Sequence, residues 1–290
     1  MEAQTALPIP PQATRKPPNF WWILLIIVLM LGTVITIAPF YWTLISSFKT
    51  PNEYYVYPPT WWPHPFTLDN WKGLNNLEVG NFENFALNSI IVCVTGTLIT
   101  LLTSSMAGYI FAKYNFKGRD FAFLAILSLM MIPFNVTMIP IYKLMVMLKW
   151  NNTFIPLILT FGYYPFGIFL MRQFIHSIPS ELIDAARIDG ANEFDIYFRI
   201  ILPLSTAALS ALGIFVFVTL WDDFLWPFII IDKPDLYTLP LGLSQFRGKL
   251  GMNVGGLAAG SMLAVLPVIL FYLVAQRRFI EGITMTGMKN

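Results

Sequence analysis

Two carboxylates, Asp222 and Asp223, stand side by side toward one end of a long apolar run, between Trp221 and Trp226. A carboxylate at the centre of a membrane helix costs about 2.5 to 3.5 kcal/mol, and less near an interface, so such groups usually face a cavity or a partner. Aromatic faces beside carboxylates suit hydroxylated rings, which makes these four residues candidates for lining a cavity or path that such a molecule occupies. The alternative is that the helix ends earlier and the pair simply meets water. The other chemically rich stretch is 179–209, charged and amphipathic inside an otherwise oily chain. Covalent and metal chemistry find little to use. His64 and His176 are the only histidines and are far apart, and Cys93 is the only cysteine, so no metal site, disulfide or zinc-protease helix is expected. The only Gly-Lys pair, Gly248-Lys249, is followed by Leu250 and not by Ser or Thr, so the phosphate-binding loop of ATPases is missing too. No catalytic residue and no cofactor is expected on this chain.

The elements that must position these residues are set by composition. Of 290 residues, 56% are apolar and 12% charged, against roughly 45–50% and about 25% in soluble domains. Several apolar runs approach or exceed the roughly 20 residues a spanning helix needs, and six spans are expected at about 20–45, 86–112, 120–147, 154–175, 204–231 and 259–280. They must be helices, because lipid leaves backbone groups unpaired in any open sheet and the period-two alternation of a barrel is absent. Pro39, Pro133, Pro140, Pro156, Pro165 and Pro267 fall within these runs and predict kinks. Gly256 and Gly260 form a small-xxx-small pair compatible with close helix packing. Residues 1–19, with five prolines, read as a disordered tail preceding a transmembrane domain over 20–290.

Sidedness follows from basic residues. Eleven of the 18 Lys and Arg fall on the side of the termini, and the compact loop KYNFKGR at 113–119 carries three of them. The positive-inside rule therefore favours a multi-pass cell-membrane protein with both termini in the cytoplasm. A net charge of +2 is too small and scattered to suggest nucleic acid. The inside then holds the long loop of about 176–203, and the outside holds a Trp- and Pro-rich segment of about 46–85 and a Gly-rich one of about 232–258.

Within the inside loop, Ser180 after Pro179 suits a helix N-cap, and Glu181 and Asp184 put negative charge in the first turn. Gly190 is placed where a left-handed residue would stop that helix. Asn192, three residues before Asp195, can cap a second helix, and Pro203 marks the start of the next span. Such a pair either rests on lipid headgroups or offers a surface to another protein, and the small residues Ala185, Ala186 and Gly190 permit the close approach that a protein partner needs.

The run DAARIDGANEFDIYFRIILP resembles the EAA motif of binding-protein-dependent ABC importer permeases: Asp184, Ala185 and Ala186 stand for E-A-A, followed at the family's spacing by Gly190, Ile200, Leu202 and Pro203. Asp replaces the usual Glu with its charge kept, and Ala207 stands where many relatives have proline. WDDFLWPFII at 221–230, TLPLGLSQF at 238–246 and QRRFIEGITMTGMKN at the C-terminus resemble the carbohydrate type, and among these the second permease of maltose-like systems.

That resemblance implies an all-α, six-helix bundle of the type I ABC importer permease kind, translocating a sugar by alternating access. It also implies the partners: a second permease in a heterodimer, two cytoplasmic ATPase subunits that hold ATP and Mg, and an extracytoplasmic sugar-binding protein. Glu181, Asp184, Ala185, Ala186, Asp189, Gly190, Ala191 and Phe194 would contact the ATPase. Gln245, Arg247 and Lys249 would reach the binding protein unless that segment is a plain connector. A gradient-driven carrier would also show kinked helices and intramembrane carboxylates, but it has no ATPase to engage with such a loop.

Overall fold

The computed structural model describes residues 20–75, 81–248 and 251–287. The tail expected at 1–19 lies outside them, as does Lys249. Among the described residues the fold is helical apart from one small hairpin, in which Arg247 pairs with Met252 and Gly248 with Gly251.

The Phe82–Lys113 helix is the central pillar. Its inward face carries Ser89, Gly96, Thr97, Thr100, Ser104, Ser105 and Gly108, all buried. Small residues let backbones approach where lipid offers no hydrophobic drive between helices. A Cβ on Gly108 would come within 2.7 Å of the Met171 Cβ, and one on Gly167 within 2.5 Å of the Ser104 Oγ, so the Pro165–His176 helix lies almost backbone to backbone along the pillar. Thr100 donates to Phe161 O at 2.6 Å, which ties in the helix Ile155–Gly162. The Thr206–Trp221 helix closes the other side, with Leu220 against Gly96.

The Phe20–Ser46 helix is different. It is apolar on every side and exposed along nearly its whole length, and it leans on the Val254–Gly287 helix. The latter begins with Gly256 and Gly260 pressed against Phe246 and Leu243. The small-xxx-small pair therefore serves close packing against the segment that precedes the helix.

Phe20–Ser46 and Phe82–Lys113 are each long and apolar enough to cross a membrane unaided. The runs expected at 120–147 and 154–175 are broken: Arg119–Met131 meets Phe134–Met147 at 100°, and Ile155–Gly162 meets Pro165–His176 at 41°. Proline locates both breaks, since it disfavours helical backbone in the residue before it and starts a helix well. Pro133 and Pro165 stand at the start of the second helix of each pair, and Pro156 lies in the first turn of its own helix. By contrast Pro39, Pro140 and Pro267 lie inside helices that continue through them.

The two ends of the pillar gather different material. At the Asn88 end, the Asn88 amide donates to Asp235 O at 2.8 Å and Tyr237 O at 3.0 Å, while Asn152, at a positive φ of 56°, accepts from the Asp232 and Lys233 N–H groups. The segment after residue 46 is held to itself: Asn70 donates to Ser47 O and Lys49 O, and the buried Lys49 ammonium donates to Thr60 O above the Trp42 ring. At the Lys113 end sits the charged stretch 176–203.

Candidate functional site

The charged stretch folds as two short helices at the Lys113 end of the pillar, joined by a glycine turn. The first, Ser180–Ile188, starts directly after Pro179, and Ser180 is its first residue. Ser180 does not cap the helix through its side chain, contrary to the sequence expectation; its hydroxyl accepts from Lys113 Nζ at 3.4 Å instead. The stop is as expected. Gly190 has φ +85°, the Gly190 N–H donates to Arg187 O at 3.1 Å, and the Ala191 N–H donates to Ala186 O at 2.9 Å. These are the paired hydrogen bonds of a Schellman C-cap, which needs a left-handed residue at this position. Asn192 then accepts from the Asp195 N–H at 2.9 Å and caps the helix Glu193–Ile196.

Ile183 and Ile196 plug this unit into the core, buried at 2% and 0% exposure. The residues singled out from sequence lie on its outward side. Glu181, Asp184, Ala185, Asp189, Gly190 and Phe194 are exposed, and Ala186 and Ala191 half-buried. The structure thus brings all eight onto one shelf of two helices and a turn. Past it the backbone hydrogen bonding widens, with the Leu202 N–H donating to Tyr197 O five residues back. Pro203, which has no N–H for the preceding turn, follows directly. The chain bends by 77° between Glu193–Leu204 and Thr206–Trp221.

Sequence reasoning missed the residues that fasten the shelf. Glu193 Oε1 accepts from Arg187 Nε at 3.0 Å and Oε2 accepts from the Tyr109 hydroxyl at 3.2 Å and from the Tyr114 hydroxyl. Arg187 also reaches Asp184 at 3.3 Å. Lys113 donates to Ile178 O, and the Tyr197 hydroxyl shares a 2.7 Å hydrogen bond with Ser105. Partners 79 and 84 residues apart leave no local pattern to find. Beside this cluster lies an open apolar groove of about 460 Å³ between Tyr109, Tyr114, Phe194 and Tyr197.

The Tyr114 hydroxyl, ahead of the Arg187 guanidinium, holds the Glu193 carboxyl below the usual carboxylate range, and Glu193 in turn holds the Arg187 proton more firmly. A depressed carboxyl value stabilises the fold fully above its unfolded value of about 4.3, and that contribution disappears as pH falls through the folded value. Hydrogen exchange of the Glu193–Ile196 amides is therefore expected to stay flat from about pH 5 to 8, after correction for intrinsic rates, and to rise only in acid.

At the opposite end, the helix expected to run through 204–231 stops at Trp221, and Asp222 to Phe224 break it before Leu225–Ile230. Asp222 and Asp223 are consequently not inside a helix. Asp222 is exposed, and Asp223 is half-buried, accepting from the Trp226 N–H at 3.4 Å. The neighbouring indoles turn away into the fold: Trp221 Nε1 donates to Ala264 O at 3.0 Å and Trp226 Nε1 to Pro156 O at 3.2 Å, with 3% and 1% exposure. Two adjacent carboxylates, whose desolvation within an apolar helix is unfavourable, and Pro227, which has no N–H for the Asp223 carbonyl, favour the break.

Gln245 ends the Leu239–Ser244 helix half-buried, its amide donating to Ser244 Oγ at 3.1 Å. Arg247 belongs to the hairpin. No group of three or more His, Cys, Asp or Glu able to hold a metal occurs among the described residues.

Known proteins share this fold. Residues 104–283, which include the whole shelf, match the family described as binding-protein-dependent transport system inner membrane component. The chain is 39% identical over 228 residues to the arabinooligosaccharides transport system permease protein AraQ of Halalkalibacterium halodurans, covering 79% of this chain and 81% of that one. It is 31% identical over 266 residues to the lactose transport system permease protein LacG of Rhizobium radiobacter, covering 88% and 92%. The fold matches a chain in the crystal structure of a bacterial ABC transporter involved in import of the acidic polysaccharide alginate, with a TM-score of 0.81, 21% identity, and coverage of 93% of this chain and 100% of that one. The chain is a multi-pass membrane protein and belongs to the family of inner membrane components of binding-protein-dependent transport systems.

Proposed function

We propose that this chain is one permease of a heterodimeric sugar importer, crossing the membrane six times with both termini in the cytoplasm. Two ATPase subunits, which carry the ATP and Mg, dock on the shelf formed by Glu181, Asp184, Ala185, Ala186, Asp189, Gly190, Ala191 and Phe194. The observation that carries this reading is the exposed helix-glycine-helix shelf: its Gly190 turn is formed by hydrogen bonding, Ile183 and Ile196 root it in the core, and its outward face presents small and charged residues together with the exposed Ile188 and Phe194. A unit that merely rested on headgroups would not need its backbone approachable at Ala185 and Gly190. The carbohydrate relatives support a sugar as cargo, delivered by a binding protein that meets the Gln245 to Lys249 segment. Purifying the tagged chain from gently solubilised membranes and identifying its companions tests the assembly. An ATPase and a second permease are expected, and recovery of a homo-oligomer alone would favour a gradient-driven carrier.

Alternating access closes each side of the bundle in turn around one path. Asp222 and Asp223 sit at a helix break, where backbone and carboxylates meet whatever fills the space beyond. In this reading they line the path while the buried Trp221 and Trp226 hold the break in place, a narrower role for the indoles than their sequence context suggested. Asp222→Asn with Asp223→Asn is expected to change uptake several-fold without affecting co-purification of the partners. Unchanged uptake and unchanged substrate-stimulated ATP hydrolysis would remove both residues from the path.

A further inference from the structure

The Gly190 turn poses a mechanical difficulty for a surface that must transmit force. The left-handed Gly190 turn, held by the Gly190 to Arg187 and Ala191 to Ala186 backbone hydrogen bonds and with no other atom within 4 Å of a built Cβ, is a weakly braced swivel, and a push on Ser180–Ile188 would be partly absorbed there unless a side chain also spans it. Glu193 spans it. Its Oε1 holds Arg187 at 3.0 Å on the far side of the turn, and its Oε2 holds Tyr109 and Tyr114 at the end of the pillar. One carboxylate therefore joins three elements: the first shelf helix, the second, and Phe82–Lys113. The pillar's buried small-residue face would carry any displacement on to the opposite end.

We propose that Glu193 is the positioning residue that makes the shelf and the pillar move as one body, so that ATP-driven motion of a docked ATPase reaches the outer end of the bundle. This rests on the docking reading above and adds to it a specific transmission contact. Lys113 does not duplicate it, because it holds only the Ile178 carbonyl and Ser180 at the start of the first shelf helix, before the swivel. Tyr109, with 4% exposure, fixes where the carboxylate must sit.

The test uses the assembled transporter in lipid nanodiscs. Maleimide labelling of Glu83→Cys, exposed at the far end of the pillar, is followed with and without ATP plus vanadate; the native Cys93 is buried. Cross-linking of Ala185→Cys to the ATPase subunit is measured in parallel. The parent is expected to change its labelling rate with nucleotide. Glu193→Ala, and independently the nearly isosteric pair Tyr109→Phe with Tyr114→Phe, are expected to shrink that change about tenfold, the scale of one charge-assisted hydrogen bond, while the cross-link persists. Glu193→Gln, which keeps an acceptor for the tyrosines but loses the ion pair, is expected to fall between. A full nucleotide response in the Phe pair, or none in the parent, would overturn the transmission role alone. Absence of the cross-link in the parent would overturn docking itself, and the transmission role with it.

Discussion

Gly190→Val is expected to lower sugar uptake by about tenfold or more, with the protein still inserted in the membrane at normal abundance. The reason is conformational. At φ +85° nothing lies within 4 Å of a Cβ at this position, so no clash inside the chain opposes the substitution. An L-residue in the left-handed region is strained by roughly 1–2 kcal/mol, and a β-branched one by more. Relief of that strain would break the Gly190 to Arg187 and Ala191 to Ala186 hydrogen bonds and tilt one shelf helix against the other. Gly190→Asn tolerates the conformation best among non-glycine residues and separates the two effects. If Asn retains ordered shelf helices but not uptake, the added side chain obstructs the docked partner; if it retains both, backbone geometry alone is at stake. Normal uptake by the valine variant would sink the docking role of the turn.

Gly108→Val is expected to destabilise the whole bundle by about 1–3 kcal/mol, the usual range for overpacking, and to lower its unfolding temperature in detergent. Here the obstruction is steric and largely backbone: a Cβ meets Met171 Cβ at 2.7 Å, Arg172 N at 2.8 Å and Met171 C at 3.0 Å. None of these atoms belongs to the far end of a flexible side chain, so the pillar and Pro165–His176 must separate. Gly32→Ala is the matched control. It lies in a helix with nothing within 4 Å of its Cβ, and alanine is the better helix former, so no loss is expected there. Equal behaviour of the two variants would show that the close approach at Gly108 contributes little to the fold.

What sequence conveys here depends on the range of the interaction. The Gly190 stop and the Asn192 cap are decided within a few residues, and both are where local rules put them. Ser180 was misassigned because Pro179 already fixes the helix start and Lys113, 67 residues away, claims the hydroxyl. Apolar length located the helical runs, yet it carries no information about direction, so the turn at Pro133 and the end at Trp221 were hidden inside runs that look continuous. Among the prolines, those that break helices and those that do not are alike in sequence: Pro39, Pro133 and Pro140 are all exposed, yet the helix continues through the first and last of them. The Glu193 cluster was illegible for a further reason, because Tyr109 lies in an apolar stretch where an aromatic residue ordinarily means packing alone, and Tyr114 lies in a loop whose legible signal is its basic charge.

The right-angled pair formed by Arg119–Met131 and Phe134–Met147 bears on how the protein is made. Helices of 13 and 14 residues, at 1.5 Å per residue, reach only about 20 Å, whereas the hydrocarbon layer is about 30 Å thick. Neither half can be stably threaded through a bilayer during synthesis on its own merits. The pair depends on neighbours made after it: Pro165–His176 packs against Arg119–Met131, and Leu225–Ile230 against Phe134–Met147, so segments synthesised later hold it in the bilayer.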